Sequence, residues 1–166
     1  EILGLPPTSG RGEAVLDRSV QRLRESLEAG DEERVRTIIY DLHLSNHSVD
    51  AISDRVIGPA FEEIGRRWKE GKCAIYQERR ACEISLRALY HLSAAISEPP
   101  AQSPRAIGAT LEGDWYSQAI TMAELTLRQI GWRAESLGPG HPADSLCAAI
   151  RDVRPRLFWL SVSVIG

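Results

Sequence analysis

Glu112-Gly113-Asp114-Trp115-Tyr116-Ser117-Gln118-Ala119 decides how this 166-residue chain is read. The stretch follows a short apolar run, Ala106 to Leu111, and opens an amphipathic segment that ends near Gly131. A strand, a tight Gly/Asp turn and a helix start are the way open α/β sheets build ligand sites at the carboxyl ends of their strands. The plan then repeats. Residues Arg133 to Leu137 run into Gly138-Pro139-Gly140, Pro142 starts a second helix that ends before Pro155, and Leu157 to Ile165 forms a nearly uninterrupted apolar strand. The right-handed crossover rule gives three parallel strands in the order 2-1-3.

Upstream the period changes from two to 3.6. Leu16, Val20, Leu23 and Leu27 mark a first helix from Glu13 to Ala29, with Gly30 as its stop. Asp31 caps a second, carrying Val35, Ile38, Ile39 and Leu42. Ser48 caps a third, Val49 through Trp68, which Pro59 should kink and Gly71 should end. A fourth runs from Ile75 to Ile96 with Cys82, Leu86, Leu89 and Ile96 as its stripe. Four amphipathic helices with short turns imply an antiparallel bundle. The Glu/Arg clusters between Glu32 and Arg36 and between Glu62 and Arg67 read as solvated faces.

The organisation expected is therefore α plus α/β. Residues 1–12 form a lead-in, 13–97 a four-helix bundle, 98–105 a proline-rich linker, and 106–166 a partial Rossmann-like, flavodoxin-like sheet with flanking helices. The beginning at Glu1 and the stop after a third strand suggest a fragment of a longer protein. Partner chains or further residues would then cover the third strand.

Composition narrows the function. With 43% hydrophobic and 26% charged residues the chain is globular, and a net charge of -3 supplies no general attraction to nucleic acid or membrane. No apolar run is long enough to span a bilayer. Three cysteines, Cys73, Cys82 and Cys147, lack paired metal spacing, suit a reducing cytoplasm, and are expected to be buried or partly buried. No nucleophile–base–acid set, phosphate-cradling loop, zinc quartet or carboxylate pair is visible, so the chain reads as a binding module and not an enzyme. His43 and His47 are four apart but straddle a helix end.

Gly113-Asp114-x-Tyr116-x-x-Ala119, Leu137-Gly138 with Pro142, and Leu160-Ser161 resemble the Gly-Asp-x-His-x-x-Gly, Leu-Gly-x-x-x-Pro and Leu-Ser signatures of the cobalamin-binding Rossmann-like domain. That domain occurs in methionine synthases, corrinoid methyl carriers and cobalamin-sensing transcription regulators. Tyr116 stands where the family has the histidine that ligates cobalt from below, and Ala119 where it has glycine. The helical half carries a second resemblance. Trp68, nine residues, then Glu78-Arg79 is similar to the Trp-x9-Glu-His of the four-helix cap in cobalamin- and light-sensing MerR-type regulators, with Arg79 in place of histidine.

The resemblance implies a tetrapyrrole between cap and sheet. Trp68, Glu78 and Arg79 would lie above it, and Asp114, Trp115, Tyr116, Gly138, His141, Pro142 and Ser161 around its lower side, Ser161 toward a buried nucleotide tail. Tyr116, a haem-type axial ligand, or His141 would be the candidate for the metal. The cofactor would be cobalamin held without a protein histidine, with haem, another tetrapyrrole or no ligand as alternatives. DNA would be bound only by a domain outside this segment, with ligand state controlling homo-oligomerisation. Two other readings stay open: a corrinoid carrier of a methyltransferase system, and a ligand-free interaction module. From the residues alone, Trp68 is equally a core residue, Tyr116 a half-buried aromatic, Asp114 a helix cap, His141 an exposed turn histidine and Ser161 an ordinary strand-end hydroxyl.

Overall fold

The computed structural model describes residues 9–163. Helices α1 (Ser9–Ala29), α2 (Glu32–Leu44), α3 (Val49–Ile52), α4 (Gly58–Lys69) and α5 (Ile75–Ser93) come first. Strand β1 (Arg105–Thr110), α6 (Gln118–Gln129), β2 (Arg133–Ser136), α7 (Ala143–Val153) and β3 (Leu157–Ser161) follow. The sheet is parallel in the order β2-β1-β3, as the crossover rule requires. Helix on helix, then helix on a parallel sheet, is the expected fold class.

Local signals account for most boundaries. Gly30, Gly71 and Gly131 end α1, α4 and α6 at positive φ (80°, 72° and 91°), a conformation that a Cβ resists. Asp31 accepts the Arg34 backbone N–H at 3.0 Å and caps α2. The long third helix is interrupted where Pro59 was expected to interrupt it. Ser53–Ile57 widens into one π turn, and the Gly58 N–H reaches back to the Ser53 carbonyl. Pro59 has no N–H to continue the regular ladder, so the register slips ahead of it.

Several expectations need correction. Helix α1 already begins at Ser9, inside the expected lead-in; residues 1–8 of that lead-in lie outside the described residues. Ser48 makes no side-chain cap. The Val49 N–H instead donates to Gln129 Oε1 at 2.7 Å, a partner eighty positions away on α6, which fills the orphan-donor role that a capping hydroxyl would have taken. Helix α5 stops at Ser93, although Ile96 is still buried. Its buried stripe is Ala81, Ile84, Ser85, Ala88, Leu89 and Leu92. That turns Cys82 and Leu86 to half-exposed positions. Helix α6 starts at Gln118, leaving 111–117 as loop. Strand β3 ends at Ser161, and the apolar residues 164–166 lie outside the described residues.

The core runs through the bundle, with Leu23, Leu27, Val35, Ile39, Ile52, Ile57, Ile64 and Leu89 almost wholly buried. Leu125 of α6 belongs to the same cluster, with Met122 packed against it. Helix α6 thus serves both halves: it contacts α3 and α5 on one side and the three strands on the other. Glu124 ties it to β2, its Oε2 accepting the Ser136 N–H at 3.0 Å, and burial holds that carboxyl above its ordinary value. The charged clusters are mainly solvated, as expected, with Arg66 spanning Glu63 and Glu70. Arg24 and Arg67 depart from this, converging at 2.7 Å each on the half-buried Glu28. No described helix is long and apolar enough to cross a membrane.

Candidate functional site

The site is built where β1 ends. Thr110, fully buried, donates its hydroxyl to the Asp114 carbonyl and accepts the Gly140 N–H at 2.9 Å, which locks the β1 loop to the β2 loop. His141 continues the lacing: its N–H donates to the Thr110 carbonyl at 3.1 Å and its carbonyl accepts the Glu112 N–H at 2.9 Å. Trp115, 71% exposed, lies over Gly140, where an added Cβ would stand 2.8 Å from the indole ring.

Asp114 is not a helix cap; Ser117 holds that position. The carboxylate accepts the Tyr116 N–H at 3.1 Å on one oxygen and the Ser163 N–H at 2.7 Å on the other, joining the loops after β1 and β3. Partial burial works against its charge, but these donors outweigh it and the pKa is lowered. His141 is half-buried and not an open turn residue. Its Nε2 lies 2.8 Å from the Leu137 carbonyl, which makes that nitrogen the protonated donor. Gly138 and Pro142 shape the same β2–α7 loop, and Pro142 is the residue that precedes α7.

Two hollows adjoin this edge. The smaller, about 380 Å³, is lined by Leu111, Gly113, Asp114, Tyr116, Ser161 and Val162. The larger, about 930 Å³, is an open cleft between α4, α5 and the start of α6, with Trp68, Glu78, Cys82, Tyr116, Gln118 and Met122 in its walls. Trp68, Glu78 and Tyr116 therefore share one cleft. Trp68 is 44% exposed there, so it is a wall and not a core residue; Ile64, fully buried, fills the core on that helix. Gly138, His141, Pro142 and Trp115 line neither hollow.

Arg79 crosses the gap. Its guanidinium carbon stands 5.1 Å from the centre of the Tyr116 ring, within cation–π range. It is also 3.5 Å from Glu78. The two residues that depart from the histidine pattern thus touch each other, one from the bundle and one from the sheet. Glu78 in turn accepts the Cys82 thiol at 3.4 Å.

Cys82 was read only as part of a stripe, and Gln118 and Met122 were not singled out as site residues. Gln118 is held by its amide, which donates to Ser85 Oγ at 3.2 Å, a contact between distant elements without a local sequence signal. Among the described residues, no three His, Cys, Asp or Glu side chains converge as metal ligands.

The cysteines separate sharply. Burial, reinforced by the Glu78 charge, pushes the Cys82 thiol up to about 12, and burial also raises Cys73. Cys147 is exposed, against expectation, because α7 buries only Leu146 fully. At pH 8 the Cys82 thiolate fraction is then about one in ten thousand. Brief iodoacetamide treatment should alkylate Cys147 and spare Cys82 and Cys73 in the folded protein, as peptide mass spectrometry would read. Equal labelling of Cys82 would contradict the raised thiol pKa assigned to it.

A helical cap on a Rossmann-like parallel sheet is the class this geometry defines. Residues 19–93 match the family model described as B12 binding domain. It is 27% identical over 142 residues to the HTH-type transcriptional repressor CarH of Myxococcus xanthus, a match that covers 83% of this chain and 46% of the relative. The chain therefore spans about half the length of that relative. Its fold is also similar to the monomethylamine corrinoid protein of Methanosarcina barkeri, with a TM-score of 0.69 at 11% identity, covering 90% of this chain and 71% of that one.

Proposed function

We propose that this chain is the ligand-sensing module of a transcription regulator and that its ligand is a cobalamin-type tetrapyrrole held between bundle and sheet. One observation carries the reading: Trp68, Glu78 and Tyr116 come from three elements into one cleft of about 930 Å³. An indole wall suits the apolar face of a flat macrocycle, and a carboxylate and a guanidinium suit its polar rim. The B12-binding model over the bundle and the likeness to a repressor support the same reading. DNA contact would belong to a domain outside this segment, with ligand state setting self-association.

The residues present fit a macrocycle better than they fit an imidazole-ligated metal. No histidine lines the cleft, and the Nε2 of His141 is engaged by a carbonyl. Tyr116 offers an oxygen that can ligate iron, but Arg79 stacks on its ring. That stacking contact favours the second reading, a ligand-free interaction module. A corrinoid carrier is the remaining alternative.

Visible spectra of the protein after incubation with hydroxocobalamin or with haem separate these readings. A retained corrin spectrum supports the cobalamin sensor, a Soret band supports haem, and a colourless protein supports the interaction module. With ligand bound, Tyr116→Phe should shift the absorbance maxima and His141→Ala should leave them in place. The reverse pattern would make His141 the metal ligand.

A further inference from the structure

The sheet face beside the cleft contains a second departure. In the β1–β3 register Gly108 faces Trp159 and Thr110 faces Ser161. Residues two apart in a strand share a face, so Trp159 and Ser161 stand on the same side, the indole one step further into the sheet. A Cβ built on Gly108 would lie 1.8 Å from Trp159 Cε2 and 2.2 Å from Cδ2. The indole therefore rests directly on the Gly108 backbone, filling the space that two small residues would leave open. Its Nε1 is buried and unpaired among the described residues, so stacking and shape hold the ring there, not a hydrogen bond.

The hollow that does reach Ser161 is the one of about 380 Å³ at the strand ends, and it does not include Trp159 or Gly108. Among the described residues the site thus offers a broad cleft for a flat ring, while the indole closes the sheet face over Gly108 to a limb hanging from it. We infer that the chain selects corrinoids by their macrocycle alone, so that the nucleotide tail stays outside the sheet and contributes nothing to binding. Trp159 is the residue that enforces this. The inference rests on the cobalamin reading of the cleft, and it names which part of the molecule is recognised.

The test compares cyanocobalamin with dicyanocobinamide, which lacks the tail, by absorbance titration and equilibrium dialysis of the full chain. The expected result is dissociation constants within about threefold of each other, which at 1.4 kcal/mol per factor of ten is a difference below about 0.7 kcal/mol. Trp159→Ala should then raise the preference for cyanocobalamin at least tenfold. A wild-type preference of tenfold or more for the tailed compound would overturn the inference and leave the cobalamin reading intact.

If the wild type binds neither compound, the cobalamin reading fails. The plug is then upheld if Trp159→Ala acquires cyanocobalamin binding, and rejected if it does not. Circular dichroism checks that the variant folds. Should it not fold, Trp159→Phe replaces it, and the wild-type comparison decides the matter without either variant.

Discussion

Gly108→Val should be among the most destabilising single changes in this protein, lowering stability by about 3 kcal/mol. Alanine in place of glycine within a strand would ordinarily gain about 0.5–1 kcal/mol, because it removes backbone freedom from the unfolded chain. Here the sign reverses. The first added carbon would sit 1.8 Å from the Trp159 ring, and Gly108 lies on the central strand with neighbours on both sides. Neither the backbone nor the indole can withdraw without breaking β-pairing or losing its stacking. Urea denaturation reads the effect as a fall in midpoint at unchanged slope. The double variant Gly108→Val/Trp159→Ala should recover much of the loss, because the two side chains compete for one volume. An unchanged midpoint in the single variant would show that Trp159 does not occupy that face.

Leu125→Ala should cost about 2–5 kcal/mol, the range for deleting a buried leucine side chain. The more informative expectation concerns how the loss appears. Leu125 is 1% exposed and sits on a helix of the α/β half, yet it belongs to the bundle's core. Far-UV circular dichroism reports mainly on the bundle, whereas in a Trp68→Phe background Trp115, Trp132 and Trp159 give fluorescence from the sheet side. Both signals should move to lower denaturant together as one transition. A shift in only one of them would mean that the halves unfold separately and that the shared core does not couple them.

The fold was largely legible because its punctuation is chemical and local. Gly30, Asp31, Gly71, Gly131 and Pro142 act through their own backbone preferences or short-range hydrogen bonds, and each marks the boundary assigned to it. Pro59 was read as a kink and appears as a π turn just before it, since a missing N–H disturbs the ladder wherever the helix lies. What failed was set at long range. Ser48 lost its capping role to Gln129, Asp114 was drawn to Ser163, and the His141 backbone was laced to Thr110 and Glu112. The rotation of α5 that turns Cys82 toward the cleft depends on which neighbours pack against it, which periodicity alone does not resolve.

The site was legible in its members more than in their grouping. Trp68, Glu78 and Tyr116 share a cleft, but the meeting of Arg79 with Tyr116 has no sequence signal, because the two lie on different elements. The indole that takes up the space over Gly108 comes from β3, some fifty residues later.

Helix α6 begins one residue after the Ser117 that closes the Tyr116 loop, and it ends at Gln129, whose amide oxygen holds the first N–H of α3. A ligand that rearranged the loop would therefore push on one end of a stiff rod whose other end is pinned in the bundle. Motion of the rim need not involve a flexible hinge between halves; it can be delivered as a tilt of that rod, felt about eighteen Å away at 1.5 Å per residue.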